Sequence, residues 1–533
     1  MKNPKTLVEA LAARLEPLET AVNRAWWEAA VTGDSSAYAR LEDLRNQVDR
    51  FLREPRWFEG LSEARRELHD DPLLARQVEI LYLEVLPRRV DAMLSERINR
   101  LATGIEREFS IYRPVYRGTE RTANDLDRIL KTEQDETLRR EAWEALKSVG
   151  PRVAARLAEL VELRNEAARS VGFPDFWHLK IALHEQDPVG LTNFLERLAA
   201  LTEQPFRTLK EEIDGHLGER FGVPPRELRP WHHEDQFFQE APDIFGADLD
   251  ATYADADLLG AARRFFAGVG LPVDHILDRS SLYEAAGKDP HAFATDIDRE
   301  GDVRILLNLR PNERWMGTTL HELGHAVYDD GIERSLPWAL RRPAHTLTTE
   351  AIAMFFGRFS RNAVWMREMG LVETGRAERL AEPAARELGA TMLVFSRWVQ
   401  VMAGFERGLY ADPEQDLNGL WWSLVGRFQD IAPPDRPPDA ADYAAKIHVV
   451  VAPVYYHNYL MGECFASQLD RRLRAEVPDG GPAHAGSPEM GAWLTERVFR
   501  AGARFHYDDL ARAATGEAVG PEAFAAQFLT PVG

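Results

Sequence analysis

Apolar side chains recur with the 3.6-residue period of amphipathic helices over most of this chain. Between Arg140 and Ser170, for example, Ala142, Leu146, Val149, Val153, Leu157, Leu160 and Val161 fall on one face. The opening run from Met1 to Ala10 lacks an uninterrupted apolar core and reads as another amphipathic helix. Arg314 to Tyr328 is apolar-rich and helical, with Gly331 as its expected stop, and Thr348 to Phe359 is a second helix whose threonines offer an N-cap. A single stretch, Ala292 to Leu309, alternates apolar and polar residues and predicts a short β-hairpin around Arg299-Glu300-Gly301. The expected fold is all-α with one small β-sheet. No Ser/Gly-rich linker or repeat divides the chain, so one domain is expected over residues 1–533, although that length alone would allow several.

Charge and cysteine content narrow the class. The net charge of −21, from 65 basic and 86 acidic residues, reads as a solvated acidic surface and argues against nucleic-acid partners, which call for a basic face. The lone cysteine, Cys464, excludes an intramolecular disulfide and points to a reducing, cytoplasmic compartment, where it reads as a buried thiol. No segment approaches 18 apolar residues, so no membrane span is expected.

Within the helix at Arg314 to Tyr328 stands His321-Glu322-Leu323-Gly324-His325. Residues four apart share a helix face, so two imidazoles can grip one zinc ion while the glutamate between them serves as general base toward water. A catalytic zinc takes a third protein ligand and keeps an open position. Glu350, early in the following helix, suits that place. Its position alone fits equally well a solvated glutamate favoured by the helix dipole.

The segment between these helices, Leu336-Pro337 through Leu340-Arg341-Arg342 to Ala344, followed by Glu350-Ala351-Ile352, resembles the link between the zinc helices of angiotensin-converting-enzyme-like peptidases. Further motifs follow in the family's order: His291-Ala292 with Ala294 and Asp296, Trp421-Trp422-Ser423-Leu424, Pro433-Pro434, Lys446-Ile447-His448, and Tyr456-His457-Asn458-Tyr459. Ala142-Trp143-Glu144 and Asn165-Glu166-Ala167-Ala168 extend the similarity toward the N-terminus, so it covers roughly residues 20–528. The thimet oligopeptidases are similar more distantly, through the zinc motif and a tyrosine-rich segment.

The resemblance implies a neurolysin-like fold, two helical halves enclosing a deep substrate channel. Lid helices would lie within about residues 1–110 and the zinc core within about 285–465. It implies one Zn²⁺ per chain on His321, His325 and Glu350. Glu322, Tyr459 and His448 would be the catalytic groups, with Tyr459 donating to the oxyanion and His448 binding a substrate carbonyl. His291, Ala292 and Ala294 would line the substrate as an added strand. Lys446 and Tyr456 would hold its C-terminal carboxylate. Read from spacing alone, Tyr455, Tyr456 and Tyr459 are more readily core aromatics on one helix face.

The expected function is dipeptide release from the free C-termini of short unstructured peptides, with an internally cutting oligopeptidase and a silent peptide binder as alternatives. Several family positions differ here. The glutamine that helps hold the carboxylate has no clear counterpart, Trp231-His232-His233 being nearest. Arginines that bind chloride are replaced by Val425, Asn458 and His178. An acidic residue that orients a zinc histidine is Met354. The chain from Lys446 to Tyr456 is also one residue longer than the family pattern.

Overall fold

The computed structural model describes residues 3–67, 70–437, 439–477 and 483–529. It is mainly helical and divides into two compact units, each assembled from separate stretches of chain. The first unit comprises Met1–Arg89, Ala247–Ala385 and Met461–Phe524, and the second Val90–Gly246, Arg386–Leu460 and Ala525–Gly533.

The first unit opens on a helix, Pro4–Thr32, capped by the Asn3 side chain. Met1 and Lys2 lie outside the described residues. Leu7, Val8, Leu11 and Leu15 bury one face of this helix against Leu52, Trp57, Leu61 and Leu81. It ends at Gly33, whose left-handed φ of +67° and closeness to the Gly287 carbonyl leave no room for a side chain. The expected hairpin is present. Strand β3, Phe293–Asp296, pairs antiparallel with β4, Val303–Leu306, and Arg299 and Gly301 take positive φ in the turn. His291 and Ala292 precede the strand. Trp26 stacks on Phe293 with ring centroids 4.3 Å apart, fixing the hairpin against the first helix.

The motif helix runs Glu313–Gly331 and is capped by Asn312. Gly331 is its last residue, as expected, but is not in the left-handed cap conformation. A β-carbon there would lie 2.8 Å from Phe499, so close packing, not turn geometry, calls for glycine. The next helix, Thr346–Gly357, starts two residues earlier than expected. Its cap is His345, whose ring accepts from the Leu347 N–H while Thr348 closes the capping box. The thiol of Cys464 is fully buried, and burial pushes its pKa well up, so it is an inert part of the core.

In the second unit, the apolar run expected as one helix splits into Glu136–Lys147 and Val149–Ser170. Pro151 explains the break, since it has no N–H for the Lys147 carbonyl and its ring crowds that oxygen. This unit also holds a second small sheet, Val115–Tyr116 (β1) with Thr119–Glu120 (β2), in addition to the single one expected. Arg117 and Gly118, both at positive φ, make its two-residue turn. The Arg164 guanidinium donates to the Val449 and Val450 carbonyls and to the Tyr410 hydroxyl, tethering the short helix His448–Val451 that follows Lys446.

One helix bears on the expectation about apolar segments. Thr374–Ala411 contains an 18-residue window of mean hydropathy 1.2, enough in length and composition to cross a membrane, and 67% of that window is buried. Burial to that extent is what a core helix shows.

Candidate metal centre and peptide-binding residues

In the first unit, the motif helix and the helix Thr346–Gly357 pack so closely that a β-carbon on Gly324 would sit 2.7 Å from Cα of Ala353. This approach brings Glu350 to the two motif histidines. Its Oε2 lies 3.7 Å from Nε2 of His321 and 3.9 Å from Nε2 of His325, and the three ligand atoms all lie within 4.8 Å of one another. Gly462 closes the far side, since a β-carbon there would be 3.1 Å from Cβ of Glu350.

Burial lowers the pKa of His321 to about 4 and that of His325 well below the usual histidine range, so both rings are neutral at pH 7, as metal ligation requires. Nδ1 of His325 lies 2.6 Å from the Thr349 hydroxyl, which leaves Nε2 facing Glu350. Two neutral imidazole nitrogens and one carboxylate oxygen at this spacing fit zinc with an open fourth position.

Glu322 is buried between the two histidines in sequence, and its carboxylate accepts from the Ala294 N–H of β3. Burial, reinforced by the charge of Glu350, raises its pKa to about 8. That N–H of Ala294, expected to meet substrate, is therefore engaged by the general-base candidate. His291 is exposed, with Nδ1 3.1 Å from Asp289 Oδ1.

The remaining expected residues lie in the second unit. Lys446 is buried, and its Nζ donates to Gln239 Oε1 at 2.7 Å. The rings of Trp398, Phe237 and Tyr456 surround that ammonium at 5.0, 5.1 and 5.7 Å from their centroids. Burial lowers its pKa to about 8, against the pull of Asp235, Glu240 and Asp127. Gln239 thus places a side-chain amide beside Lys446, a contact not expected from the sequence. Trp231-His232-His233 does not take that place, since His233 faces Asp214 at 3.6 Å and His232 packs against Arg229.

The His448 ring lies 5.3 Å from that of Tyr456, its buried Nδ1 has no hydrogen-bond partner among the described residues, and burial with the Lys446 charge lowers its pKa to about 4. The Tyr459 ring lies 5.0 Å from Tyr455 and 5.9 Å from Tyr456, on a helix that starts at Tyr456. Just before it, Val454 takes a positive φ of 56° and its N–H is held by Glu406 at 2.7 Å. A β-branched residue in this conformation is strained. Of the three positions expected to replace chloride-binding arginines, Val425 is apolar, Asn458 accepts from Gln186 at 2.8 Å, and His178 pairs with Asp175 at 2.8 Å.

Comparison with known proteins identifies relatives of this chain. The family model described as angiotensin-converting enzyme, of the M2 peptidases, matches residues 238–528, more than half of the chain. Carboxypeptidase 1 of Bacillus subtilis is 26% identical over 257 residues, covering 43% of this chain and 49% of that protein. Angiotensin-converting enzyme of Bos taurus is 23% identical over 487 residues, covering 83% of this chain and 37% of that protein. Thermostable carboxypeptidase 1 of Thermus thermophilus is 24% identical over 436 residues, covering 73% and 80%. The chain thus spans about half or less of the length of the first two of these relatives.

Proposed function

Because this chain belongs to the angiotensin-converting-enzyme family of metallopeptidases, we propose that it hydrolyses short unstructured peptides and releases dipeptides from their free C-termini. The observation that carries the peptidase reading is the convergence of His321, His325 and Glu350 within 4.8 Å beside the buried Glu322. Zinc held there supplies a Lewis acid for the scissile carbonyl and brings the pKa of a bound water to about 7.

The chain's own groups do the rest. Glu322 takes the proton of the attacking water and hands it to the leaving amine. The Tyr459 phenol donates to the oxyanion without carrying charge. His448 and His291 hydrogen-bond a substrate carbonyl, and the edge at Ala292 and Ala294 lies against the extended peptide. Lys446, Gln239 and Tyr456 hold the terminal carboxylate, with an ammonium inside an aromatic box. A cation fixed two residues before the carbonyl-binding His448 measures the distance from the peptide's end. We propose a reducing, cytoplasmic location, which suits the single buried thiol, and no nucleic-acid or membrane partner.

Mass spectrometry of products from a free-terminus peptide of about ten residues, beside its C-terminal amide, tests the reading. Stepwise loss of dipeptides, abolished by chelation and restored by zinc, supports it, and the amide should be cut poorly. Internal fragments from both peptides would replace the carboxylate ruler by an oligopeptidase. Loss of single residues would also overturn dipeptide release, a reading favoured by the two relatives named carboxypeptidase. No cleavage by a zinc-loaded sample would indicate a silent peptide binder.

A further inference from the structure

A histidine that ligates zinc through Nε2 needs an acceptor for its Nδ1–H, because that hydrogen bond fixes the tautomer and the ring plane. A carboxylate is the common choice. One turn beyond Glu350, where such a group would reach back, stands Met354, which offers no oxygen. The structure holds a different solution on the other side of the ligand.

Thr349 Oγ1 lies 2.6 Å from Nδ1 of His325, across the contact between the motif helix and the helix Thr346–Gly357. We propose that Thr349 is the positioning residue for the metal at His325, a neutral hydroxyl acting where a carboxylate would otherwise orient the ring. The inference rests on the zinc reading given above.

Three features make the arrangement suited to that role. Thr349 is β-branched, so its χ1 is stiff and its hydroxyl is held in place with little loss of entropy. It is also the residue directly before Glu350, so one helical turn delivers both the third ligand and the group that orients the second. Gly324, pressed against Ala353, sets the separation over which both act. The chemical consequence follows from charge. A hydroxyl draws the Nδ1 proton less strongly than a carboxylate does, so the imidazole stays a weaker donor to the metal. Zinc is then held less tightly and remains a stronger acid toward its substrate than in a carboxylate-supported site.

The test is zinc affinity, measured by competition with a chromophoric chelator on the full chain. Thr349→Val removes the hydroxyl at constant shape, and Thr349→Ala removes it without adding bulk. Both are expected to weaken zinc binding about 10–100-fold, while Thr349→Ser retains affinity within about threefold. The visible spectrum of the cobalt-loaded protein should change with the valine and alanine variants and persist with serine. Melting of the metal-free proteins should be the same for all, which separates orientation of the ring from support of the fold. Unchanged zinc affinity in both Thr349→Val and Thr349→Ala would overturn the inference while leaving the zinc site in place. Failure of the unsubstituted chain to bind zinc would remove the site and the inference together.

Discussion

Replacing Gly324 by alanine tests whether the packing of the two ligand-bearing helices sets the metal geometry. Two effects of the added methyl oppose each other. In a helix interior, alanine is favoured over glycine by about 1 kcal/mol, and with nothing nearby the substitution would stabilise. Here the new carbon would lie 2.7 Å from Cα of Ala353, 3.1 Å from the Ile352 carbonyl oxygen and 3.2 Å from the Ala353 nitrogen. All three are backbone atoms, which cannot turn aside. Ordinary contact begins near 3.4 Å, so the helices must separate by about 0.7 Å.

Overpacking of this kind costs about 1–3 kcal/mol, enough to cancel or outweigh the propensity gain. The displacement also exceeds the roughly 0.2 Å tolerance of a zinc ligand distance, because Glu350 moves with one helix and both histidines with the other. Gly324→Ala should therefore lower the melting temperature of the metal-free protein and weaken zinc binding at least tenfold. Gly104→Ala is the control. Gly104 lies within the helix Ala92–Ile111 with nothing within 4 Å of its added carbon, and should gain up to about 1 kcal/mol. Calorimetric melts with and without zinc, beside a chelator titration, read both effects. A Gly324→Ala protein as stable as the original, with unchanged zinc affinity, would refute the reasoning.

Other outcomes follow from the same structure. Glu322→Gln should retain zinc and lose about 10²–10⁴ in kcat, and near-normal turnover would remove Glu322 as general base. The Lys446 ammonium, with its pKa lowered to about 8, is charged below that pH and neutral above it. kcat/KM for free-terminus peptides should accordingly fall about tenfold per pH unit above pH 8, a limb that should vanish in Lys446→Met or with amidated peptides. Arg358 and Glu463 form a buried ion pair in the first unit. Arg358→Ala should cost about 3–5 kcal/mol in unfolding experiments, whereas replacing both partners by methionine should be far milder.

The features legible in the sequence are those encoded within a few residues of each other. The His321-to-His325 spacing, the hairpin at Arg299-Glu300-Gly301 and the apolar faces of the helices depend on local periodicity, and the structure contains them. The split at Ser148 was equally local, since Pro151 announces it, but the apolar pattern continues across the break and hides it. His345 as an N-cap went unread for another reason. Histidine is not among the usual capping residues, and the threonines that follow are.

Long-range contacts leave weaker marks. Gln239 and Lys446 are 207 residues apart, and no period or spacing links an isolated glutamine to an isolated lysine. The only trace lay in chemistry: a buried ammonium needs an acceptor, and Phe237-Phe238-Gln239 supplies one beside an aromatic wall. Thr349 illustrates the same limit from the opposite direction. Met354, where the resemblance implies a carboxylate, calls for either a substitute elsewhere or weaker zinc binding. Which residue supplied it depended on the angle and separation of two helices, and those depend on the absence of one β-carbon at Gly324. A motif thus names the ligands of such a site, whereas the identity of the groups that orient them is decided by packing between segments that the motif does not contain.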